Sequence, residues 1–250
     1  MKKSETVVKK CIIAIVIICA VILAGYGIYH HFNNVPQESE YNKALSDENI
    51  EWLRDEVISK GDGNCPITVD FDILSEINDD ITAWIYCENT PISYPVLQGI
   101  DNGEYIYNRY DKTISTSGSI YLDYKNSADY SDLKSIIYAQ NIDGSMFGSL
   151  PEYKAQEYYE EHPVIWLVTP DNSYQLEVIA GFETIAESDD YSLISDEQEL
   201  KNYINEITEK SDFKTDTDIS SFKKIITLST PMNDSENEQK CYIVAAGIKE

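Results

Sequence analysis

Chemistry in this chain has few possible owners. Its 250 residues hold three histidines (His30, His31 and His162) and five cysteines (Cys11, Cys19, Cys65, Cys87 and Cys241). A side chain that shuttles protons as an imidazole is therefore one of three, and a thiolate nucleophile one of five. The cysteines form no CxxC pair and no metal-ligand spacing, so neither a metal nor another cofactor is expected. Their odd number argues against a full disulfide framework. One bridge among Cys65, Cys87 and Cys241 remains open, and sequence does not choose the pair. Carboxylates abound, with 44 Asp plus Glu against 19 Lys plus Arg and a formal charge of −25. Neither Asp70-Phe71-Asp72 nor Glu187-Ser188-Asp189-Asp190 has the ligand spacing of a calcium loop. Most of these acids read as a solvated, repelling surface. A charge of that sign argues against a nucleic-acid partner, since affinity for a duplex comes largely from cations neutralising phosphates.

The elements that must position any site begin after an apolar stretch. Residues 1–33 carry Lys2, Lys3, Lys9, Lys10 and Glu5, whereas the remaining 217 residues carry 15 basic and 43 acidic side chains, a net −28. Cys11 to Tyr29 is an uncharged run of 19 residues, long enough to cross a hydrocarbon core of roughly 30 Å as a helix. This predicts a basic cytoplasmic tail (1–10), a single-pass anchor (11–29), a linker (30–47) and an exterior domain (48–250), with the N-terminus inside. The rival reading is a cleaved signal peptide with an unusually long apolar region. Within the exterior domain, Ile50, Leu53, Val57 and Ile58 predict a helix over Asp47 to Lys60, capped by Asp47 and stopped by Gly61. A shorter helix is expected over Phe71–Asn78. From Ile81 the period changes to short β-rich runs at 83–87, 92–97, 119–123, 134–138, 163–168, 174–184, 223–229 and 241–246, separated by turn-forming stretches such as Asp101-Asn102-Gly103. One amphipathic helix over Ser195–Phe213 interrupts them, with Leu200, Tyr203, Ile204 and Ile207 on a shared face. The expected fold is mostly β with peripheral helices: a closed barrel of about eight strands, preceded by N-terminal helices and a transmembrane helix.

Several segments in series resemble one family. Ile77-Asn-Asp-Asp-Ile-Thr-Ala-Trp-Ile-Tyr86, Thr90-Pro-Ile-Ser-Tyr-Pro-Val-Leu-Gln98 and Asp101-Asn102 are similar to the opening of a class B sortase barrel. Gly118-Ser-Ile-Tyr-Leu-Asp123, Ile136-Ile-Tyr-Ala-Gln-Asn141, Gly144-Ser-Met-Phe-Gly-Ser-Leu150, His162-Pro-Val-Ile-Trp-Leu167 and Thr227-Leu-Ser-Thr230 continue in the family's order, over roughly residues 48–246. Sortases are membrane-anchored cysteine transpeptidases of Gram-positive bacteria that attach secreted proteins to a cell-wall or pilin amine. The resemblance implies a groove for an extended peptide, a thiolate nucleophile, a histidine for the leaving amine and an arginine at the oxyanion.

Those three groups do not carry over. In the segment Tyr138-Ala139-Gln140-Asn141, Gln140 stands where the resemblance places the histidine, and an amide does not titrate near neutral pH. The nucleophile position after Thr227-Leu-Ser-Thr230 is Pro231, which has neither a side-chain nucleophile nor a backbone donor. Aligning Tyr242-Ile243-Val244 with the last strand puts Cys241 in the arginine's slot, with Lys240 one residue earlier and on the opposite face of the strand. His162 is expected at a barrel edge, far from this site. The reading is a catalytically inactive, membrane-anchored class B sortase-like protein that binds a peptide, a surface-protein or pilin segment, or a cell-wall component. Its groove candidates are Gln140, Asn141, Ser229, Thr230, Tyr138 and Lys240. Other tyrosines, Tyr105, Tyr107, Tyr110, Tyr121 and Tyr124, either line the groove or pack with their hydroxyls satisfied. Two alternatives stay open: a divergent cysteine transpeptidase working through Cys241 or another rearranged site, and a structural scaffold for an active sortase. The exterior charge further predicts that basic or neutral polar ligands are favoured over acidic ones at low salt.

Overall fold

The structure, a computed structural model, describes residues 50–61, 63–142, 144–232 and 240–248. The tail 1–10, the apolar run 11–29 and the linker 30–47 lie outside the described residues. Among the described residues, no helix is long and apolar enough to cross a membrane.

The chain enters on helix α1, residues 50–57, with Ile50, Leu53 and Val57 buried along its inner face. The helix expected to reach Lys60 stops there. Ile58–Lys60 is instead a short strand, β1, paired antiparallel with β2 (Ile67–Val69). Gly61 serves this hairpin rather than a helix end: its N–H donates to Pro66 O at 3.0 Å, and a Cβ there would meet Cys65 O at 2.0 Å. Helix α2 (Phe71–Ile77) follows, capped by the Asp70 carboxylate, which accepts from the N–H groups of Asp72 and Ile73. Asp70 thereby satisfies two donors a helix start leaves open.

The eight β-rich runs form one closed barrel. Its strands are β3 (Ile81–Tyr86), β4 (Ser93–Leu97), β5 (Ile120–Leu122), β6 (Lys134–Tyr138), then, after a small hairpin of β7 (Asn141–Ile142) and β8 (Ser145–Met146), β9 (Val164–Val168), β10 (Ser173–Ile185), β11 (Lys224–Pro231) and β12 (Lys240–Ile248). Around the barrel the order is β10-β12-β11-β6-β5-β4-β3-β9. Closure leaves no unpaired edge. Strand β11 lies parallel to β6 and antiparallel to β12. Two helices flank the barrel: α3 (Gln156–Glu161), which the sequence pattern did not suggest, and α4 (Glu197–Glu209), capped by Asp196. The helix expected over 195–213 is thus four residues shorter at its C-terminal end.

Alternation along the strands divides the side chains into two sets. Ile137, Ala139, Ile226, Leu228, Tyr242, Val244 and Ala246 belong to the main core with Trp84, Val96 and Leu167. Ile225, Ile243 and Ala245 face outward and pack against Leu200, Ile204 and Ile207 of α4. The barrel's outer face at β6, β11 and β12 is therefore covered by α4 at one end and left for other uses at the opposite end.

Candidate functional site

Where that outer face runs past α4, the ends of β6, β11 and β12 line a groove of about 1290 Å³. By parity, Tyr138 and Gln140 continue the outward row of β6, Ser229 and Pro231 that of β11, and Cys241 that of β12. Pro231 and Cys241 are cross-strand partners. Tyr138 is paired with Ser229, so Gln140 lies just past the end of the β6–β11 ladder. Gln140, Pro231 and Cys241 all line the groove. Its other wall is the loop after β10, from which Ala186, Glu187, Ser188, Tyr191, Ser192 and Leu193 contribute.

Three tyrosines run through the site. The Tyr138 ring lies 5.4 Å from that of Tyr121 and is stacked on Tyr191 at 6.0 Å with 17° between planes. The Tyr138 hydroxyl donates to Asp123 Oδ2 at 3.0 Å, and Asn102 Nδ2 donates to the same oxygen at 2.9 Å. Burial and then the Asp123 charge push the Tyr138 hydroxyl far above its ordinary range. The Tyr191 hydroxyl lies 2.9 Å from Ser229 Oγ and also within bonding reach of the Cys241 thiol; burial first, then that thiol, hold its proton firmly. Lys125, Lys240, Asp123 and Glu187 supply the charges of the lining, two of each sign.

The remaining sequence candidates are placed elsewhere. Thr230 takes the inward parity of β11: it is fully buried, and its hydroxyl donates to Ala139 O at 3.0 Å, so it braces the barrel and does not face the groove. The Asn141 side chain is turned to the backbone, donating to Pro231 O at 3.0 Å. Lys240 shares the parity of Tyr242, and its charge is felt by Glu183, yet as the exposed first residue of β12 it reaches the groove rim. Of the other tyrosines, only Tyr121 lines the groove. Tyr105 is buried with its hydroxyl on Asp80, and Tyr107 is exposed.

No imidazole or guanidinium lines the groove among the described residues. His162 ends α3, with Nδ1 at 3.1 Å from Glu88 O and its ring against Tyr158. The chain's two arginines are engaged away from the site. Arg54 Nε donates to Ser93 O at 2.7 Å, and Arg109 lies over Tyr110 beside a separate small cavity. Cys65, Cys87 and Cys241 are all free, so the possible bridge is not formed. Burial pushes the Cys87 thiol up to about 11. Among the described residues no cluster of His, Cys, Asp and Glu is arranged to hold a metal ion. The Asp190 carboxylate of the run 187–190 is taken by Lys210 at 2.6 Å and by Thr184 and Ser188.

No protein-family profile matches the chain. Sortase B of Staphylococcus aureus is 28% identical over 242 residues, covering 95% of this chain and 96% of that protein. A crystal structure of S. aureus sortase B superimposes with a TM-score of 0.66 at 30% identity, over 72% of this chain and 86% of that one. The chain belongs to the class B sortase family. The S. aureus sortase B–substrate complex also matches, with a TM-score of 0.67 at 25% identity, over 89% of this chain and 97% of that one. A sortase B groove in which the outward ends of β6, β11 and β12 present an amide, a proline and a thiol can still align a polar ligand by hydrogen bonds. It lacks the proton donor and fixed cation that acyl transfer calls for. Tyr191, Asn102, Asp123 and Lys125 were not found from the sequence. Asn102 stood in a segment read only as a turn, and Tyr191 in an acidic run without periodicity.

Proposed function

We propose that this protein is a catalytically inactive class B sortase-like protein that binds an extended peptide, contributed by a surface protein or pilin, on the outer side of the membrane to which residues 11–29 anchor it. The observation that carries the reading is the composition of the groove: Gln140, Pro231 and Cys241 together occupy the strand ends where the resemblance places histidine, nucleophile and arginine. Binding of an extended chain needs backbone hydrogen bonds and side-chain pockets, and neither depends on the nucleophile. The solved complex of S. aureus sortase B with its substrate supports a peptide as the ligand class. The test is direct. The purified protein, incubated with sortase-type sorting peptides, binds them without cleavage and forms no thioester at Cys241 by intact mass. Turnover that an alkylating reagent abolishes would overturn the inactive reading and restore the Cys241 transpeptidase. Protease treatment of intact cells tests the location: residues 48–250 are degraded from outside.

A further inference from the structure

Lys134 opens β6 and is 1% exposed, a rare position for an ammonium group. It stands on the same outward row as Tyr138 and Gln140, beneath the groove wall. Its Nζ donates to the carbonyl oxygens of Asp190 and, at 3.2 Å, of Ser192, the residues on either side of Tyr191. The ring of Tyr203, from α4, lies 4.0 Å from the ammonium. The charged groups around it are Asp190 on the wall and Glu206 and Lys210 on α4, while its register partner on β11 is the apolar Ile225. The Asp190 carboxylate is committed to Lys210, Thr184 and Ser188, so the direct acceptors of Lys134 are neutral carbonyls. A buried cation held this way is costly, and packing alone would be met by an apolar side chain of similar length.

We propose that Lys134 is the positioning residue of the groove wall: it clamps the carbonyls flanking Tyr191, aims that hydroxyl at Ser229 and Cys241, and makes the wall's closure depend on pH. Its meaning for ligand binding rests on the groove reading above; its test does not. Burial lowers the Lys134 ammonium from 10.5 to about 8, with Asp190 opposing the shift and Lys210 adding to it. Lifting the wall admits water and returns the group toward its ordinary value. The closed wall therefore binds this proton less tightly than the open one. Protonation favours opening, and raising the pH through 8 toward 10.5 favours closure.

The experiment labels the full chain with a thiol reagent and reads the Cys241 peptide by mass spectrometry, for wild type, Lys134→Arg and Lys134→Met, with folding checked by circular dichroism. A guanidinium stays charged throughout, and dividing the wild-type rate by the K134R rate at each pH cancels the thiolate fraction. The expected result is a ratio that falls at least about threefold between pH 7.5 and 9.5, with hydrogen exchange at residues 187–193 slowing over the same range by the same comparison. The K134M-to-K134R ratio stays flat. If either variant fails to fold, the wild type divided by the other carries the same expectation. A flat or rising wild-type ratio overturns the proposal. No ligand is present, so a falling ratio in a protein that binds no peptide removes only the groove reading, and a flat ratio in one that does bind removes only the clamp.

Discussion

At the scale of single residues, Pro231 and Cys241 stand opposite each other across the β11–β12 ladder with Gln140 beside them, so chemistry can be put back where the backbone already converges. Pro231→Cys supplies a thiol, and adding Gln140→His supplies a group that protonates a leaving amine. The expected outcome is that the double variant forms an acyl thioester with a sorting peptide about 10²–10⁴ times faster than P231C alone, measured by intact mass. Equal rates would mean that position 140 does not reach the scissile bond. Asp123 is the other residue to probe. It accepts from Tyr138, Asn102 and the Lys125 N–H, and Asp123→Ala leaves the Tyr138 hydroxyl without its partner. The cost is about 1–3 kcal/mol, read as a lower urea midpoint at unchanged slope, with weaker ligand binding because Tyr138 is no longer held.

At the scale of elements, the eight barrel strands were legible because each is a short apolar run of period two bounded by turn residues. α4 was legible because Leu200, Ile204 and Ile207 recur at helical spacing behind the Asp196 cap. Three features were not. Helix α1 gives way to β1 because Ile58–Lys60 finds a partner in Ile67–Val69, a tertiary choice that helical spacing does not encode. The β7–β8 hairpin and α3 are too short to show a period. The groove wall depends on Lys134 and Lys210 meeting Asp190 from 56 and 20 residues away. In the site, the convergence of Gln140, Pro231 and Cys241 followed from the resemblance together with strand alternation, whereas the part played by Tyr191 required the fold. Thr230 shows the same alternation acting against a candidate, since one step along β11 moves it into the core. α4 also carries a prediction. Ile204→Ala, at 3% exposure between helix and barrel, costs about 2–4 kcal/mol, measurable by denaturant titration. A loss below half a kcal/mol would show that the α4 contact contributes little.

At the scale of the whole molecule, tyrosine is the titrating group that matters most. Burial is the leading cause of raised values at Tyr105, Tyr121, Tyr130, Tyr138, Tyr203 and Tyr242, Tyr121 reaching about 12. These hydroxyls keep their protons in the folded state after the unfolded chain would lose them. Their stabilising contribution is complete below pH 10 and is lost as pH rises toward the folded values. Melting temperature should therefore drop steeply above pH 10, together with tyrosinate absorbance that appears only on unfolding; early, gradual ionisation in the native protein would contradict this. The acidic exterior acts at longer range than the evenly charged groove lining. A lysine-rich peptide should bind more tightly than an acidic one of equal length at low ionic strength, and the difference should shrink near 0.15 M salt, where charges are screened within about 8 Å. Equal affinity at low salt would place recognition in the groove alone. The two-faced strands also bear on the protein's history. Side chains that meet a ligand project from the outer face at the strand ends, and those that specify the barrel point inward one residue away. Selection can therefore rewrite the former at almost no structural cost, letting a lineage abandon a reaction and keep its scaffold.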